Sequence, residues 1–141
     1  MESEATGPSP KEIRDRIRSE HHALSKALVE IEGLAAAAHP DRADTLVALR
    51  DALHELSDTL GAHLQYEEFR LPALARDVAS SEQLQEEMRQ EHRAQRELLT
   101  RVAQDLDETA VGETLMVGVR ELVRAIRDDM EFEEAEILSK L

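Results

Sequence analysis

Residues 46–74 read LVALRDALHELSDTLGAHLQYEEFRLPAL, and their spacing decides the fold. Leu46, Leu49, Leu53, Leu56 and Leu60 recur in alternating steps of three and four. With 3.6 residues per turn, that period lays them along one stripe of an α-helix. The stripe runs on in phase through His63 and Glu67 to Leu71 and Leu74. Ionisable groups do not normally point into a helical core unless something there binds them. The same stretch therefore sets a helix and marks a candidate site on its buried face.

Three further stretches have the same design. The first stripe is Ile13, Ile17, His21, Leu24, Leu28, Ile31 and Ala35. Ser9-Pro10-Lys11-Glu12 precedes it as a start signal: Ser9 can cap, Pro10 suits the first helical position and Glu12 completes a capping box. His39-Pro40 ends it, because proline disfavours helix in the residue before it. Asp41 or Asp44 is expected to cap the second helix, and Pro72 to kink its last turn. Ser80-Ser81 opens a third helix with stripe Leu84, Met88, His92, Gln95, Leu99, Val102 and Leu106. Residues 107–112 form the next connection. The last stripe is Leu115, Val119, Leu122, Ile126, Asp129, Glu133 and Ile137. Short connections make sequential helices antiparallel, so the expected fold is all-α, an up-down-up-down antiparallel four-helix bundle over residues 10–141. Residues 1–9 are expected to be a disordered tail.

Composition agrees and narrows the function. Aromatics make up only 2% of the 141 residues, so the core is built of Leu, Ile, Val and Ala. There are no cysteines, which excludes disulfides, thiolate zinc sites, iron–sulfur clusters and covalently attached haem. A net charge of -14 argues against nucleic acid and anionic membranes as partners, since both need a basic face. No apolar run is long enough for a membrane span, and the polar start lacks the apolar core of a signal peptide, so a cytoplasmic location is expected. Few large apolar residues lie off the stripes of the first and last helices, so a monomer is expected. No nucleotide loop or Ser-His-Asp arrangement is present.

The helices repeat in pairs. Glu20-His21 matches Glu91-His92, and His63-x-x-x-Glu67-Glu68 matches Asp129-x-x-x-Glu133-Glu134. Two such hairpins would pack about a pseudo-twofold axis. In antiparallel hairpins the start of one helix faces the end of the next, which brings His21, His63, Glu67, His92, Asp129 and Glu133 to one end of the bundle. Three imidazoles and three carboxylates suit two metal ions, with Glu67 and Glu133 between them. Mixed nitrogen and oxygen donors fit iron, manganese or zinc. Axial haem ligation would explain His21 or His92 but would leave Glu67 and Glu133 buried without cause. An iron-storage bundle would use a Glu-x-x-His spacing instead.

The order His, HxxxE, His, then a last helix ending in Glu133 resembles the hemerythrin-like family over about residues 11–141. The segment Glu67-Glu68-Phe69-Arg70-Leu71-Pro72-Ala73-Leu74 adds to the likeness. The resemblance implies two non-haem iron ions with an oxo or hydroxo bridge, and a small exogenous ligand: O2, peroxide or nitric oxide. It implies terminal roles for His21, His63 and His92 and bridging roles for Glu67 and Glu133. The pattern is broken at Asp129, where the family carries histidine. Arg96 stands where the oxygen carriers have a second histidine on the third helix. A more anionic donor set favours ferric over ferrous iron, which tilts the reading from O2 transport toward redox detoxification of a small oxidant. The alternative is a module that binds or senses O2 or iron without turnover.

Several neighbours carry competing readings. Asp129 is read as a ligand, or else as an acid behind the ligands or a salt-bridge partner of Arg96. Tyr66 packs between helices, or serves the site as a hydrogen-bond donor or phenolate ligand. Glu68 and Glu134, one step off the stripe, are expected in solvent. His22 and His54 fall off the buried face, and Met88 and Met130 are expected as core fillers.

Overall fold

A computed structural model describes residues 7–75, 81–108 and 112–141. It contains α1 (Pro10–Ala37), α2 (Ala43–Ala75), α3 (Ser81–Glu108), α4 (Glu113–Glu136) and a terminal 3₁₀ turn, η1 (Leu138–Lys140). Among the described residues there is no β-strand. The tail reading for residues 1–6 and the role of Ser80 lie outside the described residues.

The start of α1 follows its sequence. Ser9 Oγ accepts from Glu12 N–H at 3.1 Å, and Glu12 Oε1 accepts from Ser9 N–H at 2.8 Å, a complete capping box. The start of α2 corrects the expectation. Neither Asp41 nor Asp44 caps it; α2 begins at Ala43, which puts Asp44 inside its first turn. There its charge favours the helix dipole. Thr45 ties the turn instead, its hydroxyl donating to Arg42 O at 2.6 Å and accepting from His39 N–H at 3.1 Å. Helix α2 continues through Pro72 to Ala75.

Each helix packs against two others: α1 on α2 and α4, and α3 on α2 and α4. Cross-helix pairs give the directions. Arg50 pairs with Asp107 and Glu68 with Arg96, so α2 and α3 run oppositely. Glu32 pairs with Arg127 and His21 with Glu134, so α1 and α4 do too. Gln95 meets Asp129, while Gly118 lies opposite Val102, which sets α3 against α4. A Cβ on Gly118 would come within 3.2 Å of Val102 Cγ2, so the missing side chain lets these two helices approach.

The buried residues of α1 are the seven of its stripe. Those of α4 are its stripe with Val123 and Met130 added, a wider face than the period alone marks. Buried apolar side chains divide into two clusters. The larger includes Leu24, Leu28, Leu56, Leu60, Leu99, Leu122 and Ile126. The smaller consists of Ile13, Ile17, Leu71, Met88, Ile137 and Leu138. Between them, along every helix, lies a layer of buried polar side chains. The polar layer is thus not at the very end of the bundle; a small apolar lid containing η1 closes it off.

Candidate metal centre

The polar layer consists of His21, His63, Glu67, His92, Gln95, Asp129 and Glu133, each at most 9% exposed. They reach it because a step of three or four returns to the same helix face, so each replaces one apolar residue of its stripe. Two groups of four donors form, and both contain Glu67 and Glu133. One adds His21 and His63; the other adds His92 and Asp129. Within each group the donor atoms lie within 4.8 Å of one another, the spacing needed to surround one cation.

On the first side, His21 Nε2 is 3.0 Å from Glu133 Oε1 and 3.3 Å from Glu67 Oε2. His63 Nε2 is 3.0 Å from Glu67 Oε2. The two rings meet edge to face with centroids 5.0 Å apart. On the second side, His92 Nε2 is 3.3 Å from Glu67 Oε1, 3.5 Å from Asp129 Oδ2 and 3.7 Å from Glu133 Oε2. It hydrogen-bonds to none of them. Glu67 Oε1, Glu133 Oε2 and His92 Nε2 are three of the four buried side-chain N/O atoms without a partner among the described residues; the other is Arg70 Nε. Buried orphans are costly, and three so close together fit a cation held between them. Asp129 Oδ2 accepts from Gln95 Nε2 at 2.8 Å, which fixes the carboxylate's orientation.

Every imidazole is held from behind. His21 Nδ1 meets Glu134 Oε2 at 2.9 Å, His63 Nδ1 meets Glu20 Oε1 at 2.6 Å, and His92 Nδ1 meets Glu68 Oε2 at 2.7 Å. A carboxylate only accepts, so each Nδ1 carries the hydrogen and each Nε2 points inward. That tautomer presents a lone pair to a metal, and the carboxylate raises the ring's basicity. Each glutamate is paired in turn with an arginine: Arg18 with Glu134, Arg16 with Glu20 and Arg96 with Glu68.

The charges follow from this packing. Burial opposes a proton on His21, but Glu133, Glu67 and Glu134 outweigh it and raise its pKa to about 10. Burial opposes charge on His92 too, and Asp129, Glu133 and Glu67 raise it to about 12. Burial pushes both central glutamates up. For Glu133 the neighbouring Glu67 adds to that, and the group is held well above the usual carboxylate range. For Glu67 the neighbouring Glu133, His21, His63 and His92 outweigh it, and it is held well below. Without a cation, protons on His21, His92 and Glu133 do the neutralising. A cation between the same atoms would displace them.

The structure changes some of these readings and fills in others. Glu68 and Glu134 are not simply solvated; they orient His92 and His21. Glu20 was legible only as the neighbour of His21, yet it orients His63 on another helix. Arg96 pairs with Glu68, and Asp129 takes Gln95 instead. Tyr66 is not brought to the polar layer: its ring lies under the guanidinium of Arg16, 3.8 Å from centroid to Cζ. Arg16 links it to the centre, since Arg16 also pairs with Glu20. His22 and His54 are exposed, and Met88 and Met130 are buried, as their phases imply.

The family model for the hemerythrin HHE cation binding domain matches residues 12–141. No curated protein and no solved structure matches the chain.

Proposed function

The chain belongs to the hemerythrin HHE cation-binding domain family, and we propose that it is a non-haem di-iron protein that consumes a small oxidant, peroxide, nitric oxide or O2, rather than carrying O2. The observation that carries this reading is the sharing of Glu67 and Glu133 between two buried donor groups. One carboxylate oxygen of each faces either side, the arrangement two neighbouring cations need. His21 and His63 would hold one ion, His92 and Asp129 the other, in an up-down-up-down bundle.

Iron bound there would supply one-electron redox chemistry and Lewis acidity toward a diatomic or peroxide ligand. The chain's own part is to fix its donors and exclude bulk water. Glu20, Glu68 and Glu134 lock the imidazoles in the inward-pointing tautomer. The two apolar clusters lower the local dielectric on both sides, so charges at the centre interact strongly. Asp129 adds an anionic oxygen donor where the family has an imidazole. That favours the ferric state and disfavours reversible O2 binding, which supports redox turnover over transport.

Within this reading the protein works as a cytoplasmic monomer. No described helix is long and apolar enough to cross a membrane. The exposed large apolar residues Val29, Val47, Phe69, Val117 and Phe132 are spread over three helices.

The test is consumption of each oxidant in turn by iron-loaded protein freed of loose iron. Turnover of one of them, lost in His63→Ala, supports the proposal. Reversible O2 binding without turnover would contradict it, as would an Asp129→His variant that holds O2 no better than the parent.

A further inference from the structure

The two helix pairs can be laid over one another stripe by stripe, residues 13–35 on 84–106 and residues 49–71 on 115–137. Apolar residues then meet apolar ones, and each histidine or glutamate meets its like, at every stripe position but two. Gln95 stands where the other half has Leu24, and Asp129 where it has His63. All four are buried. The two departures touch: Gln95 Nε2 donates to Asp129 Oδ2 at 2.8 Å, from α3 across to α4. A buried amide without a partner is costly, so an amide in a leucine's place needs a reason. Asp129 supplies it.

His63 reaches the layer with a longer, rigid ring, and Glu20 holds its outer nitrogen at 2.6 Å. Asp129 has a shorter side chain and, at 9%, is the most exposed member of the layer. A carboxylate is strongly hydrated, so on its own this one gains by turning toward water. Gln95 pulls the other way. A carboxylate only accepts, so the amide presents its N–H, and the bond keeps Asp129 Oδ2 inward, 3.5 Å from His92 Nε2. Two unlike donor groups result. His21, His63, Glu67 and Glu133 offer two imidazoles and two carboxylates, whereas His92, Asp129, Glu67 and Glu133 offer one imidazole and three carboxylates. Imidazole suits zinc, and carboxylate suits harder ions such as manganese.

We propose that Gln95 is a positioning residue for one of the two ions: it holds Asp129 inward as the third carboxylate of the His92 position, and so makes that position favour a harder ion than the His21–His63 position does. The inference rests on the two-ion reading and adds an inequality between the ions. Leucine at position 95 suits the fold, since Leu24 fills the matching place in the other half, but it leaves Asp129 without its tether.

Zinc and manganese are the probes. Affinities come from competition with a chelating dye, and the ring-nitrogen NMR signals of His21, His63 and His92 report which position zinc fills. Circular dichroism reports helix content. The parent is expected to take up two zinc ions. Gln95→Leu keeps its helix content and the zinc response of His21 and His63, but loses about 10–100-fold in zinc affinity at His92, the usual cost of removing a ligand's partner. Gln95→Leu combined with Asp129→His restores the repeat and regains that affinity, because an imidazole does not depend on the amide. At this position the double variant prefers zinc over manganese more strongly than the parent does. If Gln95→Leu alters helix content, Gln95→Met, which keeps the side chain's length, takes its place with the same expected loss. Zinc binding by Gln95→Leu equal to the parent's at His92 would overturn the proposal. So would equal losses at both positions, a double variant no better than Gln95→Leu, or one with the parent's ion preference. A parent that takes up no ion would sink the two-ion reading and this inference together; a parent that takes up two, with Gln95→Leu unchanged, would sink this inference alone.

Discussion

Glu68 Oε2 lies 2.7 Å from His92 Nδ1, and the same oxygen accepts from Arg96 Nη1 at 3.1 Å. The glutamate therefore stands between a buried ring and a surface cation. Because the Nδ1 hydrogen is committed outward, the inward Nε2 is free for a metal. Glu68→Ala should lower metal affinity by about 10–100-fold, the usual cost of losing such a partner. Helix content should not change. An affinity equal to the parent's, measured by competition with a chelating dye, would show that His92 needs no support.

Tyr66 gives the opposite expectation. Its ring packs under Arg16 and against the smaller apolar cluster. Tyr66→Phe should leave metal content unchanged and add no more than a small stability loss. If the loaded parent showed a phenolate-to-metal absorption band that vanished in Tyr66→Phe, the placement of Tyr66 outside the centre would be wrong.

The metal-free protein should lose stability on the alkaline side. His21 and His92 have folded pKa values of about 10 and about 12, above the ordinary 6.5. A raised group stabilises fully below its unfolded pKa and loses that contribution as pH rises through the folded one. Glu133 is raised and acts in the same sense; Glu67 is lowered and acts in the opposite sense, losing its contribution as pH falls below 4.5. The melting temperature of metal-free protein should therefore decline from pH 6.5 toward 10. Metal-loaded protein should decline much less, because the cation has replaced those protons, and metal uptake at pH 7 should release protons. Parallel alkaline declines with and without metal would contradict this.

Chelation and core truncation should separate. Removing metal should lower the melting temperature, because the cation binds the folded chain alone. Leu122→Ala, in the larger apolar cluster, should cost about 2–5 kcal/mol. Its metal content should stay that of the parent, since Leu122 touches the core and not the donor layer. A Leu122→Ala protein that folds but takes up no metal would mean the layer depends on distant packing.

The fold was legible because its period is uniform. Each stripe holds one face, and polar residues that keep its phase are forced into the core with it. That is why His21, His63, Glu67, His92, Asp129 and Glu133 could be read together, while His22 and His54 fell outside. Phase alone misjudged Glu68 and Glu134 and gave Glu20 no role. Their own positions point toward solvent, but an imidazole reaches outward past the helix surface and meets them there. The Gln95–Asp129 bond was illegible for another reason. It depends on the register between α3 and α4, which the connection around residues 109–112 does not reveal. The start of α2 misled because two aspartates offered caps, while Thr45 ties the turn at His39 and Arg42.

The most direct measurement is metal per chain by elemental analysis, after anaerobic loading with ferrous iron and removal of excess, on parent and Glu67→Ala. Glu67 belongs to both donor groups. Two irons in the parent and a loss at both positions in Glu67→Ala is the expected result. A single iron in the parent, none at all, or full loading of Glu67→Ala would contradict a paired centre built on shared carboxylates.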